Sequence, residues 1–207
     1  MKQFLIQQQA HDTKLINKFI AFMNDAEAPE MFITGVAGTG KTTSLKELVD
    51  FCAYNKIEAV SCAFTHKACS VLSAKLTPGS KVQTLHSYLK KCPTINVGAM
   101  KVAHVEGNSQ AALPTKVDVI FTDEFSMVGE RDYVDIAALQ YDDNGNLQTK
   151  VVYIGDPNQL PPVKDMQVVV PSDPYWIKLT KIHRQAEDNP LIDTLMQING
   201  FLEGEEI

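Results

Sequence analysis

The chain of 207 residues is long enough to bury a substantial core in one domain, or in one domain with a small insertion. Hydrophobic residues make up 44% and charged residues 21%, as in ordinary globular proteins, and no apolar run approaches the roughly 18 residues that cross a bilayer. The net charge of −6 argues against broad electrostatic binding of nucleic acid, but it leaves room for a narrow basic groove.

Apolar runs that predict buried strands alternate along the chain with segments of helical periodicity. The predicted strands are EMFIT before Gly35, and then residues 57–65, 117–125, 150–156 and 175–180. The predicted helices cover residues 11–24, 41–55, 66–76, 84–91, 131–140 and 189–200, with Thr84 as an N-cap. This alternation is typical of an α/β fold in which helices cover both faces of a parallel sheet.

The stretch from residue 93 to 116 departs from this alternation. Short β-branched runs lie on either side of Gly98, and a polar loop follows them. We therefore expect a small β-hairpin at 93–106, inserted between residues 1–92 and 107–207 of the main domain.

The segment GVAGTGKTT, residues 35–43, matches the phosphate-loop pattern G-x-x-x-x-G-K-[ST] at every fixed position. Glycines let such a loop turn tightly, and its backbone N–H groups hold phosphate oxygens together with the positive end of the next helix. Lys41 is expected to reach the β- and γ-phosphates of ATP, and the Thr42 hydroxyl to bind Mg²⁺. A chance match is the alternative, but the strand before the motif and the helix after it argue against one. The predicted nucleotide-binding residues are Gly35, Ala37, Gly38, Thr39, Gly40, Lys41, Thr42 and Thr43.

Acidic residues follow two of the predicted strands, at the sheet edge where parallel strands gather ligands. We assign Asp123 to Mg²⁺ and Glu124 to the general base that activates the attacking water. Asp156 ends the later strand, and Gln159 follows it with an amide that can sense a γ-phosphate. A solvated turn is the alternative for these acids. Arg184 either stabilises transition-state charge or is an ordinary surface residue.

Six segments in this order, GVAGTGKTT, AFTHKA, TLHSYL, FTDEFSM, GDPNQLPP and LTKIHRQ, resemble the successive motifs of superfamily 1 DNA helicases. The resemblance runs from about residue 31 to 184 and on into the last predicted helix. It is strongest to the RecD and phage Dda branch, which moves 5′ to 3′. It implies a RecA-like domain, ATP and Mg²⁺ as cofactors, and single-stranded DNA as the partner. It also implies an ATP-dependent helicase that drives translocation along that DNA.

The resemblance carries further residue roles. It implies that Gln159 couples the γ-phosphate to DNA, that Arg184 is catalytic, and that Gln9 reads adenine, although Gln7 and Gln8 are equally available. For His66 and His86, a role as a helix cap or as a core residue remains open as the alternative. The residues that the resemblance places on DNA, including those of a strand-separating hairpin, are Thr65, His66, Thr84, His86, Pro93, Met100, Val102, Pro161 and Pro162.

The same resemblance implies a second RecA-like domain, for which residues after Gly200 leave no room. We therefore expect the first motor domain alone, monomeric and weakly active, since movement along DNA needs two domains that open and close. A single-strand-binding protein or a replisome component is an expected further partner. No signal sequence or C-x-x-C pair is seen, which favours the cytoplasm, or the host cytoplasm for a phage protein.

Two other hypotheses stay open. An NTPase switch would act on a protein partner without DNA, and it would not need the THKA, TLHS and NQLPP segments. A binding module that has lost catalysis would not need Lys41, Asp123 and Glu124 together.

Overall fold

A computed structural model describes residues 13–96, 101–106, 114–159, 166 and 168–181. The helices are α1 (Thr13–Asn24), α2 (Lys41–Tyr54), α3 (His66–Lys75), α4 (Leu85–Tyr88) and α5 (Glu130–Gln140). The strands are β1 (Glu30–Thr34), β2 (Ala59–Ala63), β3 (Val82–Thr84), β4 (Lys91–Asn96), β5 (Lys101–Glu106), β6 (Val119–Asp123), β7 (Lys150–Gly155) and β8 (Trp176–Lys178). The predicted helix at 189–200 lies outside the described residues.

Six strands form one sheet in the order β3-β2-β6-β7-β1-β8, and every neighbouring pair is parallel. The predicted α/β fold with a parallel sheet is therefore confirmed. The strand predicted at 117–125 is shorter than expected. It ends at Asp123 because Glu124 has left-handed backbone angles, φ 59° and ψ 46°, and Phe125 begins a short 3₁₀ helix.

The sheet separates two hydrophobic clusters, as expected for a sheet buried on both faces. Helices α1, α2 and α3 pack on one face, where Phe19, Leu48 and Phe121 are buried together. Helices α4 and α5 pack on the other face, where Phe32 and Tyr153 stack with ring centroids 5.6 Å apart. Among the described residues, no helix is both long enough and apolar enough to cross a membrane.

Strands β4 and β5 pair antiparallel and form a separate two-stranded sheet, with Lys91 opposite Glu106 and Asn96 opposite Lys101. The first strand begins two residues before the predicted hairpin at 93–106. Its start follows Lys90, whose positive φ of 57° redirects the chain after α4. The division into a main domain and an insertion stays a prediction.

An ion cluster at the start of β4 ties this hairpin to α5. The Lys91 ammonium contacts Asp132 at 2.7 Å and also Asp135, although its side chain is only 5% exposed. His86 Nε2 lies 3.3 Å from the other carboxylate oxygen of Asp132. Burial works to lower the pKa of Lys91, but the hydrogen bonds to the two carboxylates outweigh it and raise that pKa. The base of the hairpin is therefore held by charge as well as by backbone pairing.

Lys91→Met should lower the free energy of unfolding by about 1–3 kcal/mol, less than the roughly 3–5 kcal/mol of a fully buried pair. The reason is that two partly buried carboxylates would lose their cation. Urea unfolding followed by circular dichroism at pH 7 measures this. Lys90→Met, at the exposed neighbouring lysine, is the control and should change little. Equal losses in the two variants would contradict the anchoring role of Lys91.

Candidate nucleotide-binding site

A cavity of about 500 Å³ lies at the carboxyl ends of the parallel strands. It brings together the phosphate loop, the start of α2, the end of α3 and the ends of β6 and β7. Its lining contains most of the predicted nucleotide and catalytic residues, namely Ala37, Gly38, Gly40, Lys41, Thr42, Thr43, Asp123, Glu124 and Gln159. Residues far apart in the sequence are thus assembled at the edge of the sheet where ligands of α/β proteins bind.

The phosphate loop connects β1 to α2 in a conformation that requires glycine. Gly40 is the N-cap of α2 with φ 93°, a left-handed angle that a side chain would strain. The buried Thr39 hydroxyl donates a hydrogen bond of 2.8 Å to the Val36 oxygen, which closes the loop on itself. The Lys41 ammonium donates to the oxygens of Gly35 and Val36, at 2.5 and 3.0 Å. This places a cation over the loop.

The first turn of α2 faces the cavity with Thr42 and Thr43. No side chain caps this helix start, and no acidic residue lies in its first turn. Its backbone N–H groups and the positive end of the helix dipole therefore point at the cavity without a competing carboxylate. This arrangement suits an anion such as a phosphate group.

The predicted acid pair lines the same cavity as the phosphate loop. Asp123 is the last residue of β6, and Glu124 turns the chain into the 3₁₀ helix Phe125–Met127. The Glu124 backbone N–H donates to the Asp123 carboxylate at 3.1 Å. A non-glycine residue with positive φ is uncommon and often marks a functional site. Here it lets two consecutive carboxylates line the same cavity.

Burial raises the pKa of Asp123 to about 6, and the neighbouring Glu124 charge adds to the effect. The Glu124 N–H and the charges of Lys41 and Lys75 work in the opposite direction. Because burial destabilises the charged form of this carboxyl group, a cation bound beside it would stabilise that form. Together with the Thr42 hydroxyl in the same cavity, it is a donor set that suits Mg²⁺.

The turn after β7 holds Gln159 at the rim of the cavity, where its side chain is exposed. The Asp156 carboxylate accepts from the Asn158 N–H at 3.0 Å, and the Asp156 oxygen accepts from the Gln159 N–H at 3.2 Å. Strand β7 lies beside β6, as the sequence predicts. The structure therefore gives Asp156 a role in shaping the turn that presents Gln159.

Three further residues line the cavity and were missed by the sequence analysis: Lys46, Lys75 and Gly155. Lys46 lies four residues after Thr42 on α2, so it is on the same face of the helix. Helical spacing could therefore have predicted it. Lys75 ends α3 and belongs to no motif. Gly155 is the last residue of β7, and the sequence indicates only that it ends a strand, not that it lines the cavity.

The residues predicted to bind DNA differ in their surroundings. Thr65 and His66 are exposed at the start of α3, where the Thr65 hydroxyl accepts from the Ala68 N–H at 3.0 Å. The Thr84 hydroxyl accepts from the Ser87 N–H at 3.2 Å, which confirms the predicted N-cap of α4. His86 contacts Asp132 and lies edge-on to Phe64, with ring centroids 6.1 Å apart. Of these residues, Thr65 and His66 are the ones open to solvent.

Several predicted residues fall outside the described part of the chain. Gln9, Met100, Pro161, Pro162 and Arg184 lie in segments that the structure does not describe. Pro93 and Val102 have a described backbone only, on opposite strands of the hairpin. Their roles stay predictions.

Asp123→Asn should stabilise the protein by about 1–2 kcal/mol at pH 7.5, without metal or nucleotide, and by much less at pH 4. The folded-state pKa of Asp123 is raised from 3.8 to about 6, so stability falls as the pH rises through this window and is then constant. The variant lacks this penalty. Urea unfolding in EDTA at both pH values measures it, with the exposed turn residue Asp143→Asn as the control. A variant that is less stable than wild type at pH 7.5 would contradict the assignment.

Comparisons with known proteins agree with this geometry. The profile of a family described as "AAA domain" matches residues 21–200. The ATP-dependent RecD2 DNA helicase of Deinococcus radiodurans is 32% identical over 176 residues, which is 84% of this chain and 22% of that protein. The RecBCD enzyme subunit RecD of Buchnera aphidicola is 26% identical over 204 residues, 91% of this chain and 32% of that protein.

Among solved structures, Bacteroides Pif1 bound to single-stranded DNA superposes with a TM-score of 0.61 at 23% identity. The alignment covers 93% of this chain and 47% of the Pif1 chain. At this level of identity the likeness concerns the fold, a RecA-like sheet with its phosphate loop. The chain therefore belongs to the AAA domain family, has the fold of a RecA-like P-loop domain, and is similar in sequence to helicases of the RecD type.

Proposed function

We propose that this chain is the ATP-binding and hydrolysing motor domain of a 5′-to-3′ DNA helicase that moves along single-stranded DNA. The observation that carries the proposal is one cavity lined by Lys41 and Thr42 together with Asp123 and Glu124. Phosphate binding, metal binding and water activation need these groups to be close together. The relation to a protein named an ATP-dependent DNA helicase supports the same function.

In this proposal the loop and the first turn of α2 hold the phosphates of ATP. Backbone N–H groups bind the oxygens, and Lys41 exchanges its contacts with loop oxygens for contacts with the β- and γ-phosphates. Thr42 and Asp123 would hold Mg²⁺, which supplies charge neutralisation on the phosphates when it is bound. Within the described residues no group of three or more His, Cys, Asp or Glu is arranged for a metal, so phosphate and water oxygens would complete the shell.

Glu124 is the residue proposed to activate water. Its left-handed backbone turns its side chain into the cavity directly after Asp123, beside the proposed metal position. A carboxylate there can accept a proton from the water that attacks the γ-phosphorus. Gln159 lies at the rim of the same cavity, where its amide can contact the γ-phosphate. Arg184 is proposed to add positive charge to the transition state.

The DNA part of the proposal rests on motif order and on relatives. The exposed Thr65 and His66 follow β2, on the same edge of the sheet as the nucleotide cavity. Hydroxyl and imidazole groups suit contacts to the sugar-phosphate backbone, which need few lysines. The 5′-to-3′ direction comes from the motif resemblance. A cytoplasmic location and a single-strand-binding protein or replisome partner belong to the same proposal.

This chain spans between about a fifth and a third of the two RecD-type relatives, 22% and 32% of their lengths. Translocation requires two bodies that close around ATP and open after its hydrolysis. The proposal therefore assigns the nucleotide-binding half of such a motor to these residues. Unwinding of duplex DNA is a property of the complete motor.

Lys41→Ala should abolish measurable binding of a fluorescent ATP analogue in Mg²⁺, because the loop would lose its only motif cation.

Glu124→Gln should keep binding and lose at least about 100-fold in single-turnover hydrolysis, the range expected for loss of a general base. Glu130→Gln makes the same chemical change at the exposed start of α5 and is the control. Normal hydrolysis by Glu124→Gln would refute the general base, and no ATP binding by the wild type would refute the function.

His66→Ala should weaken binding of fluorescein-labelled oligo-dT by at least about threefold, because contacts to nucleic acid are each worth a modest free energy. Fluorescence anisotropy at two salt concentrations measures the affinity, and oligo-dT stimulation of ATP hydrolysis is a second readout. Ser73→Ala, at an exposed position farther along α3, is the control. Wild-type protein that binds ATP but neither binds nor responds to oligo-dT would favour a switch acting on a protein partner.

A further inference from the structure

The nucleotide cavity contains a lysine that no motif predicts. Lys75 is the last residue of α3, and it lines the cavity together with Lys41, Asp123 and Glu124. We propose that Lys75 is a further phosphate-binding residue of this site, a cation that contacts the terminal phosphate from the end of α3. The inference rests on the proposed function, since it concerns the same nucleotide.

The end of α3 is held in a fixed place beside α2. Leu72 and Leu76 are buried in the cluster that contains α1 and α2, so the last turn of the helix cannot roll freely. Just beyond it, the Thr77 hydroxyl donates a hydrogen bond of 2.5 Å to the Asp50 carboxylate on α2. The backbone at Lys75 is therefore held in place both by the packing of Leu72 and Leu76 and by the hydrogen bond between Thr77 and Asp50.

Lys46 provides an internal comparison, because it lines the same cavity but is already paired. Its ammonium lies 2.7 Å from the Asp50 carboxylate, one helical turn away, and 3.5 Å from the Thr77 hydroxyl. Within the described residues, the Lys75 side chain has neither an ion pair nor a hydrogen bond. Of these two lysines, Lys75 is the one whose charge is left for a bound anion.

The charges around the cavity indicate which end of a nucleotide Lys75 would meet. It acts electrostatically on Asp123, as does Lys41. Asp123 and Glu124 flank the proposed position of the metal and the γ-phosphate, where two carboxylates would repel the incoming phosphate oxygens. A cation on that side offsets the repulsion. Its effect should be largest for a triphosphate, whose extra charge lies nearest to it.

Lys75 also differs from the other two lysines of the cavity in the element that carries it. Lys41 and Lys46 both belong to α2 and keep a constant relation to the loop. Lys75 belongs to α3, which begins at His66, so it would reach the phosphates from a separate part of the fold. The cavity is therefore lined by cations from two elements, α2 and α3.

Lys75→Met should raise the dissociation constant of a fluorescent non-hydrolysable ATP analogue about tenfold in Mg²⁺, equivalent to about 1.4 kcal/mol. For the matching ADP analogue the increase should stay below about twofold, because ADP lacks the γ-phosphate that the Lys75 ammonium would contact. Lys75→Arg should restore most of the ATP affinity. Lys67→Met, which removes an exposed lysine near the start of the same helix and outside the cavity, should change both affinities by less than about twofold.

The outcomes separate this inference from the function on which it rests. Wild-type protein that binds neither nucleotide would overturn the proposed function and the role of Lys75 with it. If the wild type binds ATP, three results overturn the inference alone: Lys75→Met indistinguishable from Lys67→Met, equal losses for ATP and ADP, or no rescue by arginine. Unfolding midpoints of all variants show whether a loss of affinity reflects a loss of fold.

Discussion

The close packing of Phe125 against Gly155 sets the distance between the two halves of the site. A Cβ atom on Gly155 would lie 2.9 Å from the Phe125 ring, so only glycine permits this approach. The same glycine accepts a hydrogen bond of 3.1 Å from the N–H of Gly35, where the phosphate loop begins. Phe125 is fully buried against Phe32 and directly follows Glu124. One residue at the end of β7 thus contacts the segment that carries the loop and the segment that carries the acids.

Three charged residues of the cavity each have a distinct structural partner. Lys41 is held by loop oxygens, Lys46 by Asp50, and Asp123 by the N–H of Glu124. Burial keeps the pKa of Asp123 near 6, so ionisation at neutral pH leaves a carboxylate that gains by pairing with a cation. A cation bound beside Asp123 would stabilise its charged form, which fits the proposed metal position.

The sequence was sufficient for features that follow from local pattern. Apolar runs located β1, β6 and β7, and because parallel strands end at one edge, Asp123 could be placed beside the phosphate loop. Short or tertiary features could not be found in this way. Strand β3 has only three residues, and it exists because Ser61 and Ala63 of β2 offer it an edge. The place of Lys75 in the cavity depends on how α3 packs on α2, and the pairing of His86 with Asp132 joins residues 46 positions apart.

Helix α3 is the element in which the proposed DNA surface and the nucleotide site meet. It begins at His66, which is exposed, and it ends at Lys75 in the cavity, about 14 Å farther along the helix axis. A helix of this length behaves as a rigid body, because its backbone hydrogen bonds resist bending. The proposed DNA contact at its first turn and the proposed phosphate contact at its last turn would therefore restrain the same unit. The two ligands could then be coupled without a chain of moving side chains.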